Sequence, residues 1–127
     1  MNNYQCHIMI SNRSATHLTY DKSKLDYGEF RDGHEPATDI PPKSNDVLAF
    51  VAQGSPGMPT GTEGTVYYRF EDDQNVVLSI YFDVPTRPFS TNAVTVTSSN
   101  PDVAAMIKGF DGSGSTEACT VTIIDGR

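Results

Sequence analysis

A Gly-rich turn, Gly61-Thr62-Glu63-Gly64, runs directly into the aromatic and β-branched stretch Thr65-Val66-Tyr67-Tyr68-Arg69-Phe70. A second such stretch, Val76-Val77-Leu78-Ser79-Ile80-Tyr81-Phe82, stops at Asp83-Val84-Pro85. Side chains of this kind suit a pleated, half-buried surface, and Gly, Asp and Pro punctuate it. The polar Asp72-Asp73-Gln74-Asn75 between them is short enough for a hairpin loop. A two-residue period recurs at Ala93, Thr95 and Thr97 against Val94 and Val96. Near the two chain ends, Cys6-Ile8-Ile10 and Cys119-Val121-Ile123 carry the same period.

The remaining segments extend the pattern. Residues 4–11, 17–20, 24–30 and 47–53 read as extended, and residues 118–124 as a last strand. Residues 103–110 hold Val-Ala-Ala-Met-Ile-Lys, which also suits a helix; Gly109 and the strand-rich surroundings favour an extended segment. Residues 31–46 form a polar loop in which Pro41-Pro42 excludes a helix or a central strand. Turn residues break the chain at 54–59, 85–90 and 111–115. About eight strands at this spacing predict an all-β fold, an antiparallel β-sandwich. No linker divides residues 1–127, so one domain is expected. The matching apolar faces of the terminal strands allow them to pair and share a sheet.

Composition agrees with this and narrows the function. A chain of 127 residues can bury a real core, and 10 Gly with 8 Pro supply many turns. The formal charge of −7 opposes phosphate backbones, so general nucleic-acid binding is not expected. It also opposes attachment to anionic lipid through a basic patch. A zwitterionic headgroup or a glycan remains compatible. The longest apolar runs are strand-length, far short of the ~20 residues of a membrane-spanning helix. The polar start lacks a basic, apolar and small-residue sequence of export signals, which predicts synthesis in the cytoplasm without a signal peptide. Cys6 and Cys119 read as two half-buried core thiols, with a disulfide left open because sequence supplies no Cα distance.

Chemistry-bearing residues are scattered. His7, His17 and His34 sit in three different contexts, and no G-x-S-x-G element accompanies them. Glu29, Glu63, Glu71 and Asp83 could supply an acid/base pair, but carboxylates are common in so acidic a chain. The 111–115 run lacks the Gly-Lys-Ser/Thr ending of a phosphate loop. Asp72-Asp73 and Asp111-Gly112-Ser113-Gly114 fall short of calcium-loop spacing. The expectation is a non-enzyme with no cofactor and no bound metal. The aromatics are more telling: six Tyr, six Phe and no Trp. Tyr67 and Phe70 lie on opposite faces of one strand, as do Tyr81 and Phe82, and a sandwich takes only one face inside. Tyr27, Tyr68, Phe82 and Phe89 are therefore candidates for a surface cluster that contacts lipid, sugar or protein. The alternative is a set of cross-strand pairs that stabilise a sheet.

Several of these stretches occur together in a known order. Residues 7–12 (His-Ile-Met-Ile-Ser-Asn), Tyr27-Gly28-Glu29-Phe30, Phe50-Val51-Ala52-Gln53-Gly54, residues 61–68 and Tyr81-Phe82-Asp83-Val84-Pro85 resemble the aegerolysin family in sequence and spacing. Lys22-Ser23-Lys24-Leu25-Asp26 and the 58–65 turn most resemble the smaller component of binary bacterial insecticidal proteins. The resemblance implies a β-sandwich that binds membrane lipid, with sphingolipid a candidate, and that makes pores with a larger protein partner. It places Tyr27 and Phe82 where fungal relatives carry membrane-facing tryptophans, with Phe89 and Tyr68 beside them. Glu63 and Asp83 would bond the cationic end of a zwitterionic headgroup or shape the turns, and Gly61 and Gly64 would serve backbone geometry. The acidic residue that fungal relatives use for headgroup recognition aligns near Thr60. The expected function is the membrane-lipid-binding component of a pore-forming, insecticidal binary toxin. It would be made in the cytoplasm and act extracellularly at target-cell membranes, with oligomerisation left open. The alternative is a carbohydrate-binding, lectin-like module.

Overall fold

The computed structural model describes residues 4–58, 60–86 and 91–127. Ten strands follow in chain order: β1 (Gln5–Asn12), β2 (Leu18–Tyr27), β3 (Glu29–Phe30), β4 (Asp39–Ile40), β5 (Val47–Gln53), β6 (Thr62–Phe70), β7 (Val77–Val84), β8 (Ala93–Ser98), β9 (Val103–Lys108) and β10 (Thr116–Asp125). No helix occurs among the described residues. The strands form two five-stranded sheets, ordered β3-β5-β1-β10-β9 and β4-β2-β6-β7-β8. All neighbours are antiparallel except β1 and β10, the terminal strands, which pair in parallel. The sandwich is therefore mixed in one sheet and antiparallel in the other.

Alternation decides which side chains meet between the sheets. On β6, Val66, Tyr68 and Phe70 are buried, while Thr65, Tyr67 and Arg69 are partly exposed. On β7 the buried set is Leu78, Ile80, Phe82 and Val84. Across the core, the Phe50 ring of β5 lies 5.5 Å from the Phe82 ring, and the Phe30 ring meets Phe50 edge-on at 5.7 Å. Burying rings of this size contributes about 1.5–3 kcal/mol each.

This packing corrects the expected surface cluster. Tyr68 and Phe82 are 0 % exposed. They share the strand phase of aliphatic neighbours, so the pleat turns them inward. Tyr68 retains its polar end by donating to the Ala37 carbonyl at 2.8 Å. Phe89 lies outside the described residues.

Residues 17–30 hold one long strand with a register shift around Asp21, followed by the two-residue β3. The loop over 31–46 contains the short β4, whose Ile40 is fully buried. Residues 103–108 are extended, as Gly109 suggested. Cys6 and Cys119 are buried free thiols on neighbouring strands. Burial, with help from Glu117, pushes the Cys119 thiol up to about 11, and burial raises Cys6 further.

One buried polar group organises a pole of the sandwich. Glu117 is 0 % exposed on β10. Its carboxylate accepts from the backbone N–H groups of Asp111 and Gly112 at 2.8 Å and from Asn92 Nδ2 at 3.1 Å. Asn92 also donates to the Gly112 and Gly114 carbonyls. At the other pole the Arg127 guanidinium bonds Asp72 and Asp125 and lies over the Phe70 ring at 4.7 Å. Asp72 and Asp73 thus face a guanidinium.

Candidate functional site

Three strands of the second sheet end at one cleft. Tyr27 closes β2, Glu63 opens β6 and Asp83 lies near the end of β7. Register places them side by side: Tyr27 opposite Glu63, and Glu63 opposite Asp83. Paired residues share a face of the sheet, so all three belong to its outer side. They line a cleft of about 210 Å³. Its floor and far wall come from Thr60, Gly61 and Thr62 before β6, and from Pro85 and Thr86 after β7.

Two glycines allow the strands to close at this point. Gly28 follows Tyr27 with φ +90, a conformation that L side chains rarely adopt, and its absent Cβ leaves room for the Gln53 carbonyl and the Thr62 hydroxyl. Gly61 lies against the Val84 carbonyl, where any side chain would collide with backbone. Thr62 bonds the Tyr27 carbonyl at 3.4 Å and Tyr4 reaches the Thr86 carbonyl at 3.5 Å, so both walls are tied to the scaffold.

The described lining of the cleft is acidic. Glu63 and Asp83 are the ionisable carboxylates among its described lining residues, none of which is basic. Tyr81, two residues before Asp83 on the same face, donates its hydroxyl to Glu63 Oε2 at 2.5 Å. That bond, then burial, then the negative charges of Asp83, Glu63 and Asp26, raise the phenol above its ordinary range. Tyr81 therefore stays a donor and aims the Glu63 carboxylate. Tyr27 stands at the rim with 58 % of its surface exposed. Such a site offers acceptor oxygens, hydroxyls and one projecting ring. It suits a small cationic or polyhydroxyl group approached from solvent.

Of the six expected site residues, the cleft gathers Tyr27, Glu63 and Asp83. Tyr68 and Phe82 belong to the core. Tyr81 was passed over, although its phase opposite Leu78, Ile80 and Phe82 marks it as outward-facing. Thr60 also lines the cleft. His17, just before β2, pairs with Asp39 of β4 at 2.8 Å, and neither lines the cleft. Among the described residues no three His, Cys, Asp or Glu side chains are grouped to hold a metal ion.

The aegerolysin family model matches residues 3–126. The chain belongs to the aegerolysin family. Among solved structures, this aegerolysin is similar to the RahU protein, whose crystal structure holds a TRIS molecule. The likeness has a TM-score of 0.72 at 18% identity and covers 95% of this chain and 94% of RahU. It is similar to the lipid binding protein Nakanori with TM-score 0.80 and 15% identity, over 94% of this chain and 70% of Nakanori. IP-1A from Alcaligenes faecalis shares the fold at TM-score 0.56 and 19% identity, over 97% of this chain and 90% of IP-1A. These likenesses establish the sandwich. No curated protein matches the chain.

Proposed function

We propose that this aegerolysin binds membrane lipid by seating a zwitterionic headgroup, with a sphingolipid as the candidate, in the cleft between β2, β6 and β7. Tyr27 enters the headgroup zone, where an amphipathic ring is favoured. Glu63 and Asp83 receive the ammonium end of the headgroup. The observation that carries this reading is the row Tyr27–Glu63–Asp83, which sets an exposed ring beside two carboxylates on the outer face of the sheet. Family membership supports lipid binding as the general activity.

The finer proposal is a role beside a larger pore-forming partner, in an insecticidal pair acting outside the producing cell. It rests on the likeness of residues 22–26 and 58–65 to the smaller members of such pairs. Flotation with vesicles of sphingomyelin or ceramide phosphoethanolamine tests the site. Binding to these, and its loss in the Glu63→Gln/Asp83→Asn double variant, is expected. Equal binding by the double variant and the parent would remove the cleft from the account. Dye release by a larger protein encoded beside this chain, only when both are present, tests the pore role.

A further inference from the structure

β9 closes one edge of the first sheet, next to β10 on one side only. The Gly126 N–H donates to the Asp102 carbonyl at 2.8 Å, and the β9–β10 register continues from there. Asp102, Ala104, Met106 and Lys108 therefore turn their backbone groups toward β10. Val103, Ala105 and Ile107 turn theirs outward. The Val103 N–H is bonded to the Asn100 carbonyl. Among the described residues no strand pairs with the outward groups of Ala105 and Ile107.

An open edge of six residues without proline is a template for another strand. The other edges differ. β3 and β4 have two residues each, and β8 is bounded by uncharged residues, Asn92 before it and Ser99 after it. β9 carries a charge of each sign at its two ends: Asp102, just before it, and Lys108, its last residue. Both are exposed, and neither is among the described ion pairs. Met106, 43 % exposed, sits between them on the outer face beside Ala104.

We infer that β9 pairs with β9 of a second copy of this chain, antiparallel and centred on Ala105. The requirement that opposed residues share a face allows only registers that join odd to odd and even to even positions. The register centred on Ala105 sets Asp102 against the partner's Lys108 and Lys108 against the partner's Asp102. It also sets Met106 against the partner's Ala104, a large side chain against a small one. Ala105 exchanges backbone bonds with the partner's Ala105, and the Ile107 N–H reaches the carbonyl of the partner's Val103. The two first sheets then form one continuous sheet about a twofold axis, an isologous contact. Lys108 lies at the strand end that leads through Thr116 and Gln5 toward Tyr4 and the cleft wall. Antiparallel pairing thus points the two clefts in opposite directions. If the cleft is the lipid site proposed above, the paired form presents one cleft to a flat bilayer.

Sedimentation equilibrium of the full chain at neutral pH and low salt tests the pairing, with Lys108→Asp, Asp102→Lys and the combined swap. The parent chain is expected to dimerise. Each single variant turns two attractive pairs repulsive and should weaken the dimer about tenfold or more, and the combined swap should recover most of the loss. Hydrogen exchange gives a second readout, with Ala105 and Ile107 amides protected more as concentration rises. A chain that stays monomeric to about 1 mM, a dimer indifferent to the single variants, or a swap that fails to recover would overturn the inference. None of these readouts involves lipid, so the inference and the proposed function fail separately.

Discussion

Replacing Glu117 with glutamine preserves the volume of a side chain that the fold hides completely. It removes one of the two acceptor oxygens. Asp111 N–H bonds one carboxylate oxygen, and Gly112 N–H and Asn92 Nδ2 bond the other. An amide retains a single acceptor oxygen, and its NH₂ must face an N–H donor. At least one charge-assisted bond is lost, at about 1.5–3 kcal/mol, and the opposed donor is left buried and unpaired. The expected loss is about 2–4 kcal/mol, a large share of the stability of a chain this size. Urea denaturation at neutral pH should show a lower midpoint at unchanged slope. A double-mutant cycle with Asn92→Ala should give a coupling of about 1 kcal/mol or more, because the two side chains share one network. A glutamine variant within about 0.5 kcal/mol of the parent would refute the argument that this carboxylate holds the 111–114 loop.

Other consequences can be measured on the same material. Phe82→Ala should cost about 3–5 kcal/mol of stability while leaving vesicle binding per folded molecule intact, since the ring packs on Phe50 and never reaches solvent. Thiol labelling at pH 8 should be slow in the native protein and fast in denaturant, because burial holds both cysteines in the thiol form; rapid native labelling would contradict it. Tyr81 has its phenol raised first by the Glu63 bond and then by burial, so its contribution is fully present below the unfolded phenol range near about 10 and is lost as pH rises through the folded value. Tyr81→Phe should therefore flatten the fall of stability at high pH, and an unchanged alkaline slope would count against the bond.

Much of this fold follows from period-two alternation alone. The β6–β7 hairpin, β5 and the pairing of the two terminal strands are visible in where Val, Ile, Phe and Tyr recur. The aromatic faces were harder, because two successive rings such as Tyr67-Tyr68 or Tyr81-Phe82 fill both faces of a strand. The choice between them lay in their neighbours: Phe82 shares phase with Leu78 and Ile80, and Tyr68 with Val66 and Phe70. Followed through, the same rule turns Tyr81 outward and Phe82 inward. The register that sets Tyr27 beside Glu63 was not legible, because a bulge between Leu25 and Tyr27 shifts the pairing. Nor was Glu117, whose partners come from segments brought together only by folding. Its position amid the apolar phase of Cys119, Val121 and Ile123 was the one local sign.

The most direct test of the account is vesicle sedimentation of the parent chain against Tyr27→Ala and Tyr27→Trp, with sphingomyelin or ceramide phosphoethanolamine in the bilayer. Removing a ring that enters the headgroup zone should weaken binding about tenfold, and tryptophan, the stronger interfacial anchor, should restore or strengthen it. All three proteins remaining wholly in the supernatant, or all three binding equally, would contradict a membrane-docking role for this cleft.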